Sequence, residues 1–128
     1  MATITTAGLA HHYGSLERYR HWLARVIFTP GVHYIADEGM AMWLVDAIAS
    51  YMSDALSGKH GEDFKWMSFW KLKKTGDTSA ILTGDDGNEN VKVKQEIEYT
   101  DIEFEGDELQ IWAQFDGEVV TLMIPSEY

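Results

Sequence analysis

The sequence predicts an α+β domain: N-terminal helices, one short and one long and central, packed on a roughly five-stranded antiparallel meander sheet. Three observations predict it. Apolar residues recur every three to four positions through the first half. From Phe64 the repeat changes to two, as a pleated strand requires. Turns rich in Gly, Asp and Asn separate the alternating runs. The chain has 128 residues, 45% of them hydrophobic, with five Trp, six Tyr and five Phe. That is the size of one domain, residues 1–128, and by the usual scaling about two-thirds of the unfolded surface is buried on folding.

Residues 1–14 are small and polar and read as a loose lead-in, followed by a helical half at 15–57 and a sheet half at 64–125. Ser15 is a helix N-cap candidate, and Leu16, Tyr19, Leu23 and Val26 keep helical spacing, so a short helix is expected over 15–26. Thr29-Pro30-Gly31 reads as its stop and Val32–Ile35 as a short extended link. Asp37 is then the N-cap of a core helix over 38–56, with Met40, Trp43, Leu44, Ala47, Ile48, Tyr51 and Leu56 on its apolar side and Gly58 beyond its end. Strands follow at 65–72, 78–83, 91–99, 109–115 and 119–124. Turns are expected at Thr75-Gly76-Asp77 and Asp85-Asp86-Gly87-Asn88, and a tight hairpin at Asp116-Gly117.

The formal net charge is −11, and it is unevenly spread. Residues 1–60 hold four cations against five acids, while residues 61–128 hold six lysines against sixteen acids. No Lys or Arg follows Lys94. A one-sided negative field disfavours direct contact with nucleic acid or an anionic membrane, because phosphate contacts need cations. It favours a basic protein surface as partner; the plainer use of such a surface is solubility. With no cysteine, disulfides, thiolate metal sites and cysteine nucleophiles are excluded. The N-terminus lacks the regions of a signal peptide and no apolar run approaches membrane-spanning length, so the expected location is the cytoplasm.

The five histidines, His11, His12, His21, His33 and His60, include no H-x-x-x-H pair, and no metal site is expected. Asp85-Asp86-Gly87-Asn88-Glu89 is too short for a calcium loop. No phosphate-cradling glycine loop, nucleophile elbow or dinucleotide fingerprint occurs, so neither catalysis nor a cofactor is expected. Two groups stand out as binding candidates. Glu96, Glu98, Glu103, Glu105, Asp107 and Glu108 crowd the end of the sheet half as ordinary ionised carboxylates. Arg20, His21 and Tyr34, with Trp22 and Trp43 as aromatic walls, could line a small-ligand pocket, Arg20 acting as a fork-shaped anion donor. The plainer reading packs Tyr19 and Trp22 inward and leaves Arg20 and His21 in water. Trp66, Trp70 or Trp112 could instead form a homo-oligomer contact.

Several segments in order resemble a known family: Tyr19-Arg20-His21, residues 29–36, residues 43–50, Phe69-Trp70-Lys71-Leu72, Ala80-Ile81-Leu82-Thr83, Asp86-Gly87-Asn88, residues 97–101 and Pro125-Ser126-Glu127-Tyr128. Together they are similar to DUF6876, small proteins of bacteria and their mobile elements. Pro30 stands where that pattern has an aspartate. The resemblance implies a bacterial, plasmid or phage setting and brings no catalytic residues. With the charge, it gives the leading expectation: a non-enzymatic acidic inhibitor or decoy of a basic, nucleic-acid-handling host protein, such as an anti-CRISPR protein, acting through the six acids. The alternatives are a nucleotide-type ligand domain and a homo-oligomeric protein.

Overall fold

Among the described residues, seven strands form one sheet, in the spatial order β1-β2-β7-β6-β3-β4-β5. The computed structural model describes residues 3–5, 18–21, 25–56 (with side chains to 53), 67–87 and 91–127. Its elements in chain order are β1 (Tyr19–Arg20), β2 (Val26–Phe28), α1 (Pro30–Glu38), α2 (Met42–Leu56), β3 (Met67–Lys74), β4 (Ala80–Asp85), β5 (Val91–Ile97), β6 (Glu108–Phe115), β7 (Val120–Met123) and a 3₁₀ turn at Pro125–Glu127. The α+β class stands.

The expected five-stranded meander does not. β6 returns beside β3, so β6-β3-β4-β5 is a Greek key rather than a run of neighbours. β2 joins β7 in parallel, with Val26 opposite Val120, which makes the sheet mixed. The Asp116-Gly117 hairpin is also longer than expected. Phe115 pairs with Val120, leaving four residues in the turn, closed by Asp116 N–H donating to the Val119 carbonyl at 3.2 Å.

The first 40 residues depart most from expectation. Where a helix over 15–26 was expected, Tyr19–Arg20 and Val26–Phe28 are antiparallel strands; residues 15–17 and 22–24 lie outside the described residues. Arg25, whose φ is 70°, turns the chain into β2. Pro30-Gly31 starts a helix instead of stopping one. Thr29 is its N-cap, with extended backbone and its hydroxyl accepting from Val32 N–H, and Pro30 occupies the first helical turn, where its missing N–H is harmless. The expected extended link at Val32–Ile35 is therefore helical, and Asp37 sits in the last turn of α1, not at an N-cap. Met40 (φ 48°) ends that helix. Ala41 N–H reaches the Ala36 carbonyl at 3.0 Å and Met40 N–H that of Asp37 at 3.3 Å, the pair of bonds that defines a Schellman motif. The lead-in is also anchored where it is described. Ile4 is fully buried and bridges Phe104.

Both helices pack on one face of the sheet. That face carries Phe28, Leu122, Ala113, Ser68, Trp70, Leu72, Leu82 and Val93, all buried, against Val32, Ile35, Leu44, Val45, Ile48 and Met52 of the helices. Trp70 is fully buried and stacks on Tyr51 of α2 at 5.5 Å. Its indole N–H donates to the Ser68 hydroxyl at 2.9 Å. No helix among the described residues is long and apolar enough to cross a membrane.

Candidate protein-binding surface

The six acids expected to bind a partner come from the end of β5, the connection to β6 and the start of β6, and the topology puts them on one rim. Cross-strand register runs Glu96, Ile81, Lys73, Glu108 across β5, β4, β3 and β6. Glu96 and Glu108 thus stand three strand spacings apart, about 14 Å. The connection, residues 98–107, crosses that gap and carries Glu98, Glu103, Glu105 and Asp107. Five of the six are exposed and Glu108 is half-buried. Asp77 and Asp101, exposed in the same region, add to the negative rim.

The connection is held in place by its backbone. Thr100 N–H donates to the Thr78 carbonyl at 2.7 Å. Ile102 is buried, and its N–H meets the Thr100 hydroxyl at 3.2 Å. Ile4 donates to the Glu103 carbonyl at 2.8 Å and accepts from Glu105 N–H at 2.9 Å, so residue 4 acts as a one-residue splint. The Lys74 ammonium lies among these acids, donating to the Asp77 carbonyl at 3.0 Å and the Ile102 carbonyl at 3.2 Å. Beside it lies an open cleft of about 420 Å³ lined by Thr3, Lys74, Gly76, Asp77, Ile102, Glu103 and Phe104. Thr3 donates to the Glu103 carboxylate there at 3.0 Å.

Arg20, His21 and Tyr34 are not gathered into one pocket among the described residues. Strand alternation puts Tyr19 on the helix-covered face and Arg20 on the other, where it is exposed. His21 is buried, with Nε2 2.7 Å from Asp46 Oδ1 of α2. Imidazole and carboxylate fasten the end of β1 to α2 at that point. The Tyr34 hydroxyl accepts from Thr5 N–H at 3.3 Å. Trp43 packs against the core, and Trp22 lies outside the described residues. Tyr19 stacks on His33 at 4.3 Å and on Phe28 at 5.5 Å, an aromatic layer that fills the space between β1, β2 and α1.

Among the tryptophans considered for an oligomer contact, Trp70 is in the core and Trp66 lies outside the described residues. Trp112 is half-buried on the face away from the helices, edge-on to Phe69 at 5.1 Å. No group of three His, Asp or Glu side chains suited to a metal ion occurs among the described residues.

One carboxylate that sequence reasoning missed is Glu127. Its Oε1 accepts from the Thr29 hydroxyl at 2.5 Å and from Ile124 N–H at 3.0 Å, and its Oε2 accepts from Gly31 N–H at 3.1 Å. The chain's own C-terminal turn therefore fills the anion site at the start of α1. The segments 29–36 and 125–128 both carry the family resemblance; their partnership is a tertiary fact that no local pattern encodes. Asp116 has its carboxyl held below the ordinary range by the backbone N–H groups of Val119 and Glu118.

A model of DUF6876, described as a family of unknown function, matches residues 3–128. Comparison with curated proteins found no match. The fold is similar to that in the crystal structure of a protein of unknown function from Enterococcus faecalis. The TM-score is 0.53 at 16% identity, covering 89% of this chain and 93% of that one. At that identity the likeness concerns the fold alone.

Proposed function

The chain belongs to DUF6876, a family of unknown function, so its role must be read from its own surface, and we propose that it is a binding protein whose acidic rim covers a basic surface on another protein. The observation that supports this reading is the rim itself: exposed carboxylates from the end of β5 and from the connection after it, which is pinned at Thr100, Ile102 and Glu103–Glu105. Fixed charges lose little freedom on binding, so more of their attraction is realised in the complex. Carboxylates spaced along a rigid edge can stand in for phosphates, which makes a nucleic-acid-handling protein the fitting partner class. An inhibitor or decoy of such a protein, with an anti-CRISPR protein as one case, is the form this reading takes. The action is occupancy, without chemistry on the partner.

The test is capture from a bacterial lysate by the tagged chain at about 0.1 M and about 1 M salt, where the screening length falls from about 10 Å to about 3 Å. The expected result is one basic nucleic-acid-handling protein held at low salt, released at high salt, and not held by the E103K/E105K/D107K variant. Capture that ignores both salt and the triple reversal would overturn the reading.

A further inference from the structure

β5 is an edge strand of the sheet, bonded to β4 on one side only among the described residues. Such an edge offers a row of backbone donors and acceptors and is ordinarily blunted by charges. The charges on β5 do more than blunt it, because their signs are ordered. The sequence runs Val91-Lys92-Val93-Lys94-Gln95-Glu96-Ile97-Glu98-Tyr99, with the lysines on one side of Gln95 and the glutamates on the other.

From this pattern we infer that β5 pairs antiparallel with β5 of a second copy of the chain, about a two-fold axis at Gln95, joining the two sheets into one. That register places Lys94 opposite Glu96 of the second copy. Val93 meets Ile97. The two-fold axis repeats each pair. Other registers lose this match. Centring on residue 94 sets lysine against lysine, centring on 96 sets glutamate against glutamate, and parallel pairing stacks like on like, all unfavourable directly across strands.

Two structural observations agree with the pairing. Lys94 and Glu96 are exposed and share the face away from the helices, so opposed residues project to the same side. Tyr51 donates to the Gln95 amide oxygen at 2.8 Å, which fixes the residue on the axis to the core face. A strand protected only against aggregation needs charge, not this order of charge.

Glu96 belongs to both surfaces, whereas Glu103, Glu105 and Asp107 take no part in dimerisation, so a variant of those three separates it from the proposed partner binding. Sedimentation velocity over a concentration series tests it with K94E, E96K, their equimolar mixture, K94E/E96K and E103K/E105K/D107K. The native chain is expected to dimerise reversibly, and each single variant to dimerise at least about tenfold more weakly. The mixture pairs again, since each partner then supplies the opposite sign, and K94E/E96K behaves as the native chain. E103K/E105K/D107K keeps the dimer. Thermal melts confirm that these exposed substitutions leave the fold intact. A native chain that stays monomeric into the millimolar range, single variants that pair like the native chain, or a mixture that fails to pair would each overturn the inference.

Discussion

Gly84→Ala asks whether the centre of the sheet is packed as tightly as its geometry requires. Gly84 stands directly opposite Trp70 on the helix-covered face. A Cβ at this position would lie 2.7, 2.8 and 2.9 Å from three carbons of the Trp70 ring. The ring has little room to yield, with Tyr51 stacked on it and its N–H tied to Ser68. Forcing a methyl group into a filled core costs about 1–3 kcal/mol. Replacing glycine in a strand returns about 0.5–1 kcal/mol through the unfolded chain. The net expectation is a loss of about 1–2 kcal/mol, or roughly 3–8 °C in Tm for a domain of this size. Urea titration measures it, with the midpoint falling and the slope unchanged. In a Trp70→Leu background the penalty should shrink below about 0.5 kcal/mol, because the obstructing ring is gone. A Gly84→Ala chain as stable as the native one, or more so, would refute the packing described for Trp70.

Other expectations rest on local chemistry. Met40 is 66% exposed and holds a left-handed conformation, so Met40→Gly loses little packing and relieves the backbone. It should stabilise by about 0.5–1 kcal/mol, read as a higher urea midpoint. Glu127→Ala removes the acceptor for Gly31 N–H, Ile124 N–H and the Thr29 hydroxyl, and should lower stability by about 1–2 kcal/mol on the same scale. The depressed Asp116 carboxyl stabilises the β6–β7 turn while ionised. That contribution is complete above the ordinary carboxylate range and disappears as pH falls through the lowered folded value. Asp116→Asn should flatten the acid limb of the stability–pH curve there, which melts taken across acidic pH would reveal.

The sheet half was legible because strands β3 to β7 alternate apolar and polar residues between strong turn signals. What alternation cannot carry is neighbourhood. Nothing in residues 108–115 says that β6 pairs with β3 rather than β5, so the meander was the default and the Greek key was not visible. The first half misled for two local reasons. Leu16, Tyr19, Leu23 and Val26 fit a helical period, yet Tyr19 and Val26 belong to two strands turned at Arg25, a residue with no sequence signal for a positive φ. Thr29-Pro30 reads as a stop in the sequence, although a capping hydroxyl followed by proline is also how helices begin. The Met40 break carries no sequence signal, because glycine, not methionine, marks such ends.

The acidic residues were legible as a composition, and their exposure followed from alternation. Their convergence depends on strand order, which only the fold supplies, and so does the splint from Ile4. Arg20 and His21 read as part of a site because a cation and an imidazole stand side by side between the aromatic residues Tyr19 and Trp22, with Tyr34 added from further along the chain. Alternation along β1 sends Arg20 to the opposite face from Tyr19, and His21 is engaged with Asp46.

The most direct measurement on the central claim is the affinity of the captured partner for the purified native chain and for E103K/E105K/D107K, each followed across ionic strength by calorimetry. The account predicts native binding that weakens steeply with salt, a variant at least about tenfold weaker at low salt, and two curves that converge at high salt. A variant that binds as tightly as the native chain at every ionic strength would contradict it.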